Sequence, residues 1–136
     1  MGGMGVIVLG PREGDGSDER KTKLSFQRLG VVEFDADNDA VDDHSHEVDE
    51  GFYVLKGNMT FRADGASHEA PAGSFVFIPA GTVHGFSHDS PARYLVLSSP
   101  GGLEKYFAEI EEAEARDADD TELSAIARRH GTRFTG

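Results

Sequence analysis

Between Val6 and about Ser98 the chain alternates short runs of β-branched and aromatic residues with Gly, Pro, Asp and Asn. Runs of this length and punctuation predict many short antiparallel strands, and nothing in the region sustains a helical period. The runs fall near 5–9, 22–28, 30–35, 51–56, 58–63, 75–78 and 93–98, with shorter ones around 44–46, 67–69 and 84–87. Gly57-Asn58 and Asp64-Gly65 have hairpin-turn chemistry, the second a strong two-residue turn signal between Phe61 and His68.

The pattern changes after Ser98-Ser99-Pro100-Gly101-Gly102. Leu103, Tyr106, Phe107 and Ile110 recur at i, i+3, i+4 and i+7, while Glu104, Lys105, Glu109, Glu111 and Glu112 occupy the other positions. That is one apolar stripe on a helix. A second, shorter helix is predicted from near Thr121, with Asp119 and Asp120 at its positive end and Arg128, Arg129 and Gly131 closing it. The two stripes must cover an outer face of the β-structure or its mouth. The fold class is therefore all-β with two C-terminal α-helices: one domain, with the β-structure over about 5–98 and a helical segment over about 102–130.

Length supports this. A chain of 136 residues buries enough surface for one hydrophobic core without staples. It has no cysteine, which removes disulfides, zinc–thiolate sites and thiol nucleophiles together and fits a cytoplasmic protein. The formal charge is −12, and no segment concentrates Lys and Arg against it, so neither nucleic acid nor an anionic membrane is an expected partner. No apolar run approaches the roughly 20 residues of a membrane span, and Met1-Gly2-Gly3-Met4 carries no basic leader.

Asp35, Asp37, Asp39, Asp42 and Asp43 crowd one stretch. Its start resembles a calcium loop, but Ala40 stands where the sharp-turn Gly belongs and His46 where the closing Glu belongs. A solvated acidic loop is the better reading.

The candidate chemistry lies just beyond. His44-x-His46-x3-Glu50 places two imidazoles on one face of a strand, because residues two apart point the same way, with a carboxylate four positions on. Gly73 through His84 delivers a third imidazole after a strand and a Pro79-Ala80-Gly81 turn. Three neutral imidazoles and one carboxylate form a mixed N/O set suited to one divalent first-row metal ion, and such ligands accept Fe, Ni, Mn, Co, Cu or Zn. Alternation from Glu50 sends Phe52 and Val54 to the same interior face, and Phe86 and His88 follow His84. Met59, Phe61, Phe75 and Phe77 are candidates for the remaining wall of a substrate pocket, though parity does not fix which way each points. His88 reads equally as a donor supporting the ligands and as a rim residue before the Asp89-Ser90-Pro91 turn. His68, in a polar hairpin, and His130, at a helix end, read as structural or surface residues.

These two blocks resemble the signature blocks of the cupin superfamily, small β-barrels of the jelly-roll type. The first cupin block, Gly-x5-His-x-His-x3,4-Glu-x6-Gly, is matched from His44 to Gly57, with Asn38 in place of the leading Gly. The second, Gly-x5-Pro-x-Gly-x2-His-x3-Asn, is matched from Gly73 to His84, with His88 where Asn is usual. Phe52–Gly57, Pro79–Phe86, Ser99–Phe107 and Ala127–Gly136 are similar to the single-domain cupins of quercetin-dioxygenase-like type. The resemblance implies a cupin jelly-roll β-barrel with metal ligands His44, His46, Glu50 and His84. It also implies a catalytic Glu50 that accepts the substrate hydroxyl proton. Its leading functional implication is a metal-dependent dioxygenase of a small hydroxylated aromatic or enol substrate. The alternatives are a metal-assisted cyclase or isomerase of polyketide-like substrates and a non-catalytic metal or small-ligand binding module. A homodimer is the expected assembly by the same analogy, with Val6-Ile7-Val8-Leu9 available to pair across an interface.

Overall fold

Two antiparallel sheets pack face to face, with a pair of helices laid over one open side. The structure, a computed structural model, describes residues 5–135. Met1-Gly2-Gly3-Met4, where the sequence predicts no basic leader, lie outside them. The strands are β1 (Asp15–Gly16), β2 (Arg20–Ser25), β3 (Gly30–Ala36), β4 (Asp39–His46), β5 (Asp49–Lys56), β6 (Asn58–Ala63), β7 (Ala66–Pro71), β8 (Phe75–Ile78), β9 (His84–His88) and β10 (Ala92–Ser99). Helices α1 (Leu103–Ala115) and α2 (Asp120–Arg129) follow, and β11 (Thr132–Phe134) ends the fold. One sheet has the order β1-β2-β3-β10-β5-β8 and the other β11-β4-β9-β6-β7. Strands exchange between the sheets as in a jelly roll.

Register explains the core. On β5 and β10, Phe52 faces Val96 and Val54 faces Tyr94, and directly opposed residues share a side of the sheet. From the other sheet Phe61 faces Phe86. These residues, with Met59, Ala70, Ile78 and Ala92, form the buried core between the sheets. Its rings meet edge-on or tilted, Phe52 at 4.9 Å from Phe61 and 5.3 Å from Phe86 between centroids, within the range that favours aromatic pairs.

The turns follow from their residues. Asp64 and Gly65 both have positive φ (54° and 74°), as the two central residues of a hairpin of this kind require. Gly57 joins β5 to β6 at φ 89°, where a Cβ would stand 2.4 Å from the Pro91 carbonyl oxygen, so only glycine fits. On the helices, the predicted stripe is realised: Leu103 and Tyr106 are buried with Phe107 and Ile110 packed beside them, against Ile126 and Ala127 of α2. Asp119 caps α2 by accepting a 2.8 Å bond from the Glu122 amide.

Three expectations are corrected. Residues 5–9 form no strand; Val6, Ile7, Val8 and Leu9 run exposed with no ladder partner among the described residues, since β-propensity needs a pairing surface to act on. The acidic stretch is not a loop. Asp35 lies on β3 and Asp39, Asp42 and Asp43 on β4, whose ladder to β9 overrides the poor strand propensity of aspartate while these three side chains stay solvated. The third concerns β8, where Phe75 pairs with Tyr53 and Phe77 with Gly51, the outward positions of β5. Both phenylalanines are therefore exposed on the outer surface rather than in the pocket wall, and Val76 and Ile78 face inward instead. Among the described residues no helix is long and apolar enough to cross a membrane.

Candidate metal centre

β4 brings His44 and His46 to the inner face two residues apart, and its register partner on β9 opposes His84 directly to His44. Gly81, at φ 83°, donates its amide to the His46 carbonyl at 2.8 Å and so ties the turn that delivers His84 to the strand carrying the other two. β5 supplies Glu50. All four side chains are buried. The three imidazoles offer nitrogens that all lie within 4.8 Å of one another, with His44 Nε2 and His46 Nε2 at 3.0 Å. Glu50 Oε1 stands 3.1 Å from His84 Nε2 and 3.6 Å from His46 Nε2.

The outward nitrogens fix the tautomers. His44 Nδ1 donates to the Asp42 carbonyl at 2.7 Å and His84 Nδ1 to the Thr82 carbonyl at 2.9 Å, so in the neutral rings Nε2 carries the lone pair, turned inward. His46 Nδ1 meets the Thr132 hydroxyl at 2.7 Å. Burial pushes the His46 imidazole down to about 3 and that of His44 down to about 4, with the neighbouring rings adding to the effect, so both are neutral at pH 7. For His84, burial also disfavours the cation, but the Glu50 carboxylate and the Thr82 carbonyl outweigh it and the net shift is upward. Burial likewise raises the Glu50 carboxyl, partly opposed by His84.

Two ring nitrogens 3.0 Å apart, at least one bearing an inward lone pair, need a proton or a cation between them. One cation at the meeting point would satisfy all three inward nitrogens, with the Glu50 carboxyl beside it. The donor set therefore fits the metal that the sequence implies.

Residues 30–98 match the cupin domain family. The chain is a cupin. Quercetin 2,3-dioxygenase of Bacillus subtilis (strain 168) is 39% identical over 71 residues, which are 51% of this chain and 21% of that protein. This cupin thus corresponds to about a fifth of that relative's length. Among solved structures, an RmlC-like cupin from Shewanella frigidimarina NCIMB 400 superposes with a TM-score of 0.57 at 22% identity, covering 60% of this chain and 75% of that one. KdgF from Halomonas sp. gives 0.56 at 25% identity, covering 60% and 76%. The EutQ protein of Clostridium difficile gives 0.50 at 29%, covering 60% and 68%.

Beside the four polar residues the cupin has a cavity of about 390 Å³. Phe52 and Phe86 line it, whereas Val54, Met59 and Phe61 are fully buried in the core behind them. His88 lies inward and buried but past the cavity, its Nδ1 donating to the Ser90 carbonyl at 2.9 Å and its Nε2 without a partner. His68 is exposed on β7, and His130 pairs with Glu109 at 2.8 Å.

Much of the cavity wall was not singled out from the sequence. Tyr94 of β10, Tyr106, Phe107 and Ile110 of α1, and Phe134 of β11 all contribute. Phe134 tilts over His44 with centroids 5.2 Å apart, and the fully buried Thr132 holds His46. The alternation Thr132-x-Phe134 after the helix-ending Gly131 was the available signal. It becomes a strand only because β4 offers an edge, where Thr132 pairs with His46 and Phe134 with His44.

Proposed function

We propose that this cupin is a metal-dependent enzyme of dioxygenase type acting on a small hydroxylated aromatic or enol substrate. The observation that carries the reading is the meeting of three inward imidazole nitrogens with a buried carboxyl at the wall of an aromatic cavity. Similarity to a quercetin 2,3-dioxygenase supports the choice of reaction. His44, His46 and His84 would hold the ion through Nε2, with Glu50 as the fourth ligand. A bound divalent metal would supply Lewis acidity and open positions for substrate oxygen and dioxygen.

The chain's own groups do the rest. Glu50 is the proton acceptor in this reading, and burial raises its carboxyl above the ordinary carboxylate range, which makes it the stronger base toward a substrate hydroxyl. Phe52, Phe86 and Tyr94 present ring surface to an aromatic substrate, and the cavity volume lies at the lower end of the range for small-ligand sites, about 300–1,000 Å³. Tyr106, Phe107 and Ile110 of α1 and Phe134 of β11 complete the cavity wall. A cytoplasmic setting belongs to this reading, on the cysteine-free composition.

The test is oxygen uptake with a panel of flavonols and catechols on protein loaded in turn with iron, nickel and manganese. At least one loading is expected to turn over. Glu50→Gln in that preparation should lower kcat by about 10²–10⁴-fold, the usual worth of a positioned base. No uptake under any loading overturns the dioxygenase reading, and product formed without oxygen would replace it with isomerase or cyclase chemistry.

A further inference from the structure

Arg20 is a charged residue to which the proposed chemistry gives no role. It opens β2, its ladder partner is Phe34, and Phe34 in turn opposes Tyr94 on β10. Directly opposed residues share a side of the sheet, so Arg20 faces the interior with them. Its side chain is only 9% exposed, yet it lines the same cavity as His44, His46 and Glu50. A guanidinium carries five N–H donors. Here Nη1 donates to the Thr22 hydroxyl at 3.0 Å and Nη2 to Glu111 Oε1 at 3.1 Å, while Nε has no partner among the described residues. A buried charge with donors to spare is costly until a further acceptor meets it.

Register places Arg20 away from the metal ligands within that cavity. The row of Glu50 crosses β10 at Ser98 and the row of Arg20 crosses it at Tyr94. Four residues separate the rows, about 13 Å along the strands, and β3 and β10 lie between β2 and β5. Long side chains at both ends shorten that gap. The row between them holds Phe52 and Val96, both in the cavity wall, so the polar ends are joined by apolar surface.

We infer that Arg20 binds a carboxylate of the substrate, so that the substrate class is a hydroxylated aromatic or enol acid rather than a neutral phenol. The inference rests on the proposed function, which puts the substrate hydroxyl at the Glu50 end. Among the residues lining the cavity Arg20 is the one Lys or Arg. Asp39, Asp42 and Glu114 also line it, but they are exposed, and water and salt screen them. Arg20 acts from a buried position, where a charge-assisted bond is stronger. Glu111 is 40% exposed and keeps a second hold through the Ser17 hydroxyl at 2.9 Å, so it can share the guanidinium with another carboxylate. A carboxylate matches the planar fork and carries one charge. A phosphate dianion would bring a second charge that no other cation in the wall answers.

The test is calorimetric titration of the full chain loaded with zinc, which has no redox chemistry to consume the ligand. The probes are dihydrocaffeate, a catechol acid, and its methyl ester, which keeps the ring and hydroxyls but loses the charge. The acid is expected to bind at least about tenfold more tightly than the ester. In Arg20→Met the ratio should fall to about one through loss of acid affinity alone. Glu111→Gln removes the competing carboxylate at a half-exposed position and should strengthen acid binding about threefold while leaving the ester unchanged. That variant carries the test if Arg20→Met fails to fold. Equal binding of acid and ester by the parent overturns the inference, as does binding of neither. So does an Arg20→Met protein that loses both alike, because Arg20 would then only tie β2 to α1. Acid-selective binding without oxygen uptake under any metal loading would remove the dioxygenase reading and leave this one standing. Uptake with no preference for the acid would do the reverse.

Discussion

His84 and His88 stand four residues apart on one strand, both inward and both buried, yet they live in opposite chemical settings. At His84 the crossing elements present partners on every side: His44 opposite, His46 beyond it, Glu50 from the facing sheet and the Thr82 carbonyl behind. At His88 the neighbour across the ladder is Asp39, a ring contact is made with Tyr94 at 6.1 Å, and Nε2 has no partner among the described residues. Strand position and burial are therefore insufficient to make a ligand. What distinguishes the two is whether other strands deliver donors to the same point, and among the described residues the end of the sandwich bearing the β4 histidines does so.

The sharpest way to break the contrast is to remove each histidine. Under the proposed reading His84→Ala takes one of three imidazoles and the partner of Glu50, and metal content after purification without a histidine tag should fall from near one ion per chain to below about a tenth. His88→Ala should leave the content unchanged. Elemental analysis of both variants beside the parent decides the matter, and equal loss in the two would erase the distinction.

How much of this the sequence could reveal depends on how local each determinant is. His44, His46, Glu50 and His84 are legible because two strand-and-turn blocks encode their own geometry through period-two alternation and the Pro79–Gly81 turn. The helices are legible through the stripe at Leu103, Tyr106, Phe107 and Ile110. Phe75 and Phe77 are misplaced because β8 has only four residues, every one of them apolar, so alternation has no polar position to register against. Only its pairing with β5 assigns the faces. Val6–Leu9 carries strong strand propensity but no partner among the described residues, and β11 is the reverse case: three residues made into a strand by the β4 edge. In each miss a long-range pairing decided what local preference could not.

Thr132 gives a second, smaller test of why the β4 end is a site. Its hydroxyl is fully buried and fixes the His46 ring at 2.7 Å, whereas the His88 ring nitrogen Nδ1 reaches a carbonyl two residues along its own chain. Groups that orient a ligand imidazole are worth about 10–100-fold in metal affinity. Thr132→Val keeps the side-chain shape and removes the bond, so competition against a chelator should show a weakening of that order with little change in circular dichroism. An unchanged affinity would mean that packing alone, through Tyr106 at 6.4 Å, suffices to aim the ring.

The smallest expected effect falls on His88 itself. Replacing it by Leu removes the Nδ1 bond to the Ser90 carbonyl, a net contribution of about 1 kcal/mol. It also removes a buried nitrogen with no partner, whose desolvation costs about 1–3 kcal/mol. The two terms have opposite sign and similar size, so His88→Leu should shift Tm by no more than about 4 °C in either direction. The same exchange at His84 strands the Glu50 carboxyl, buried and deprived of its 3.1 Å partner, and only the loss remains. If His88→Leu instead destabilised the fold as much as His84→Leu, the buried Nε2 would have to be bonded in solution to a water or ligand. The far end of the sandwich would then be a polar site in its own right rather than core.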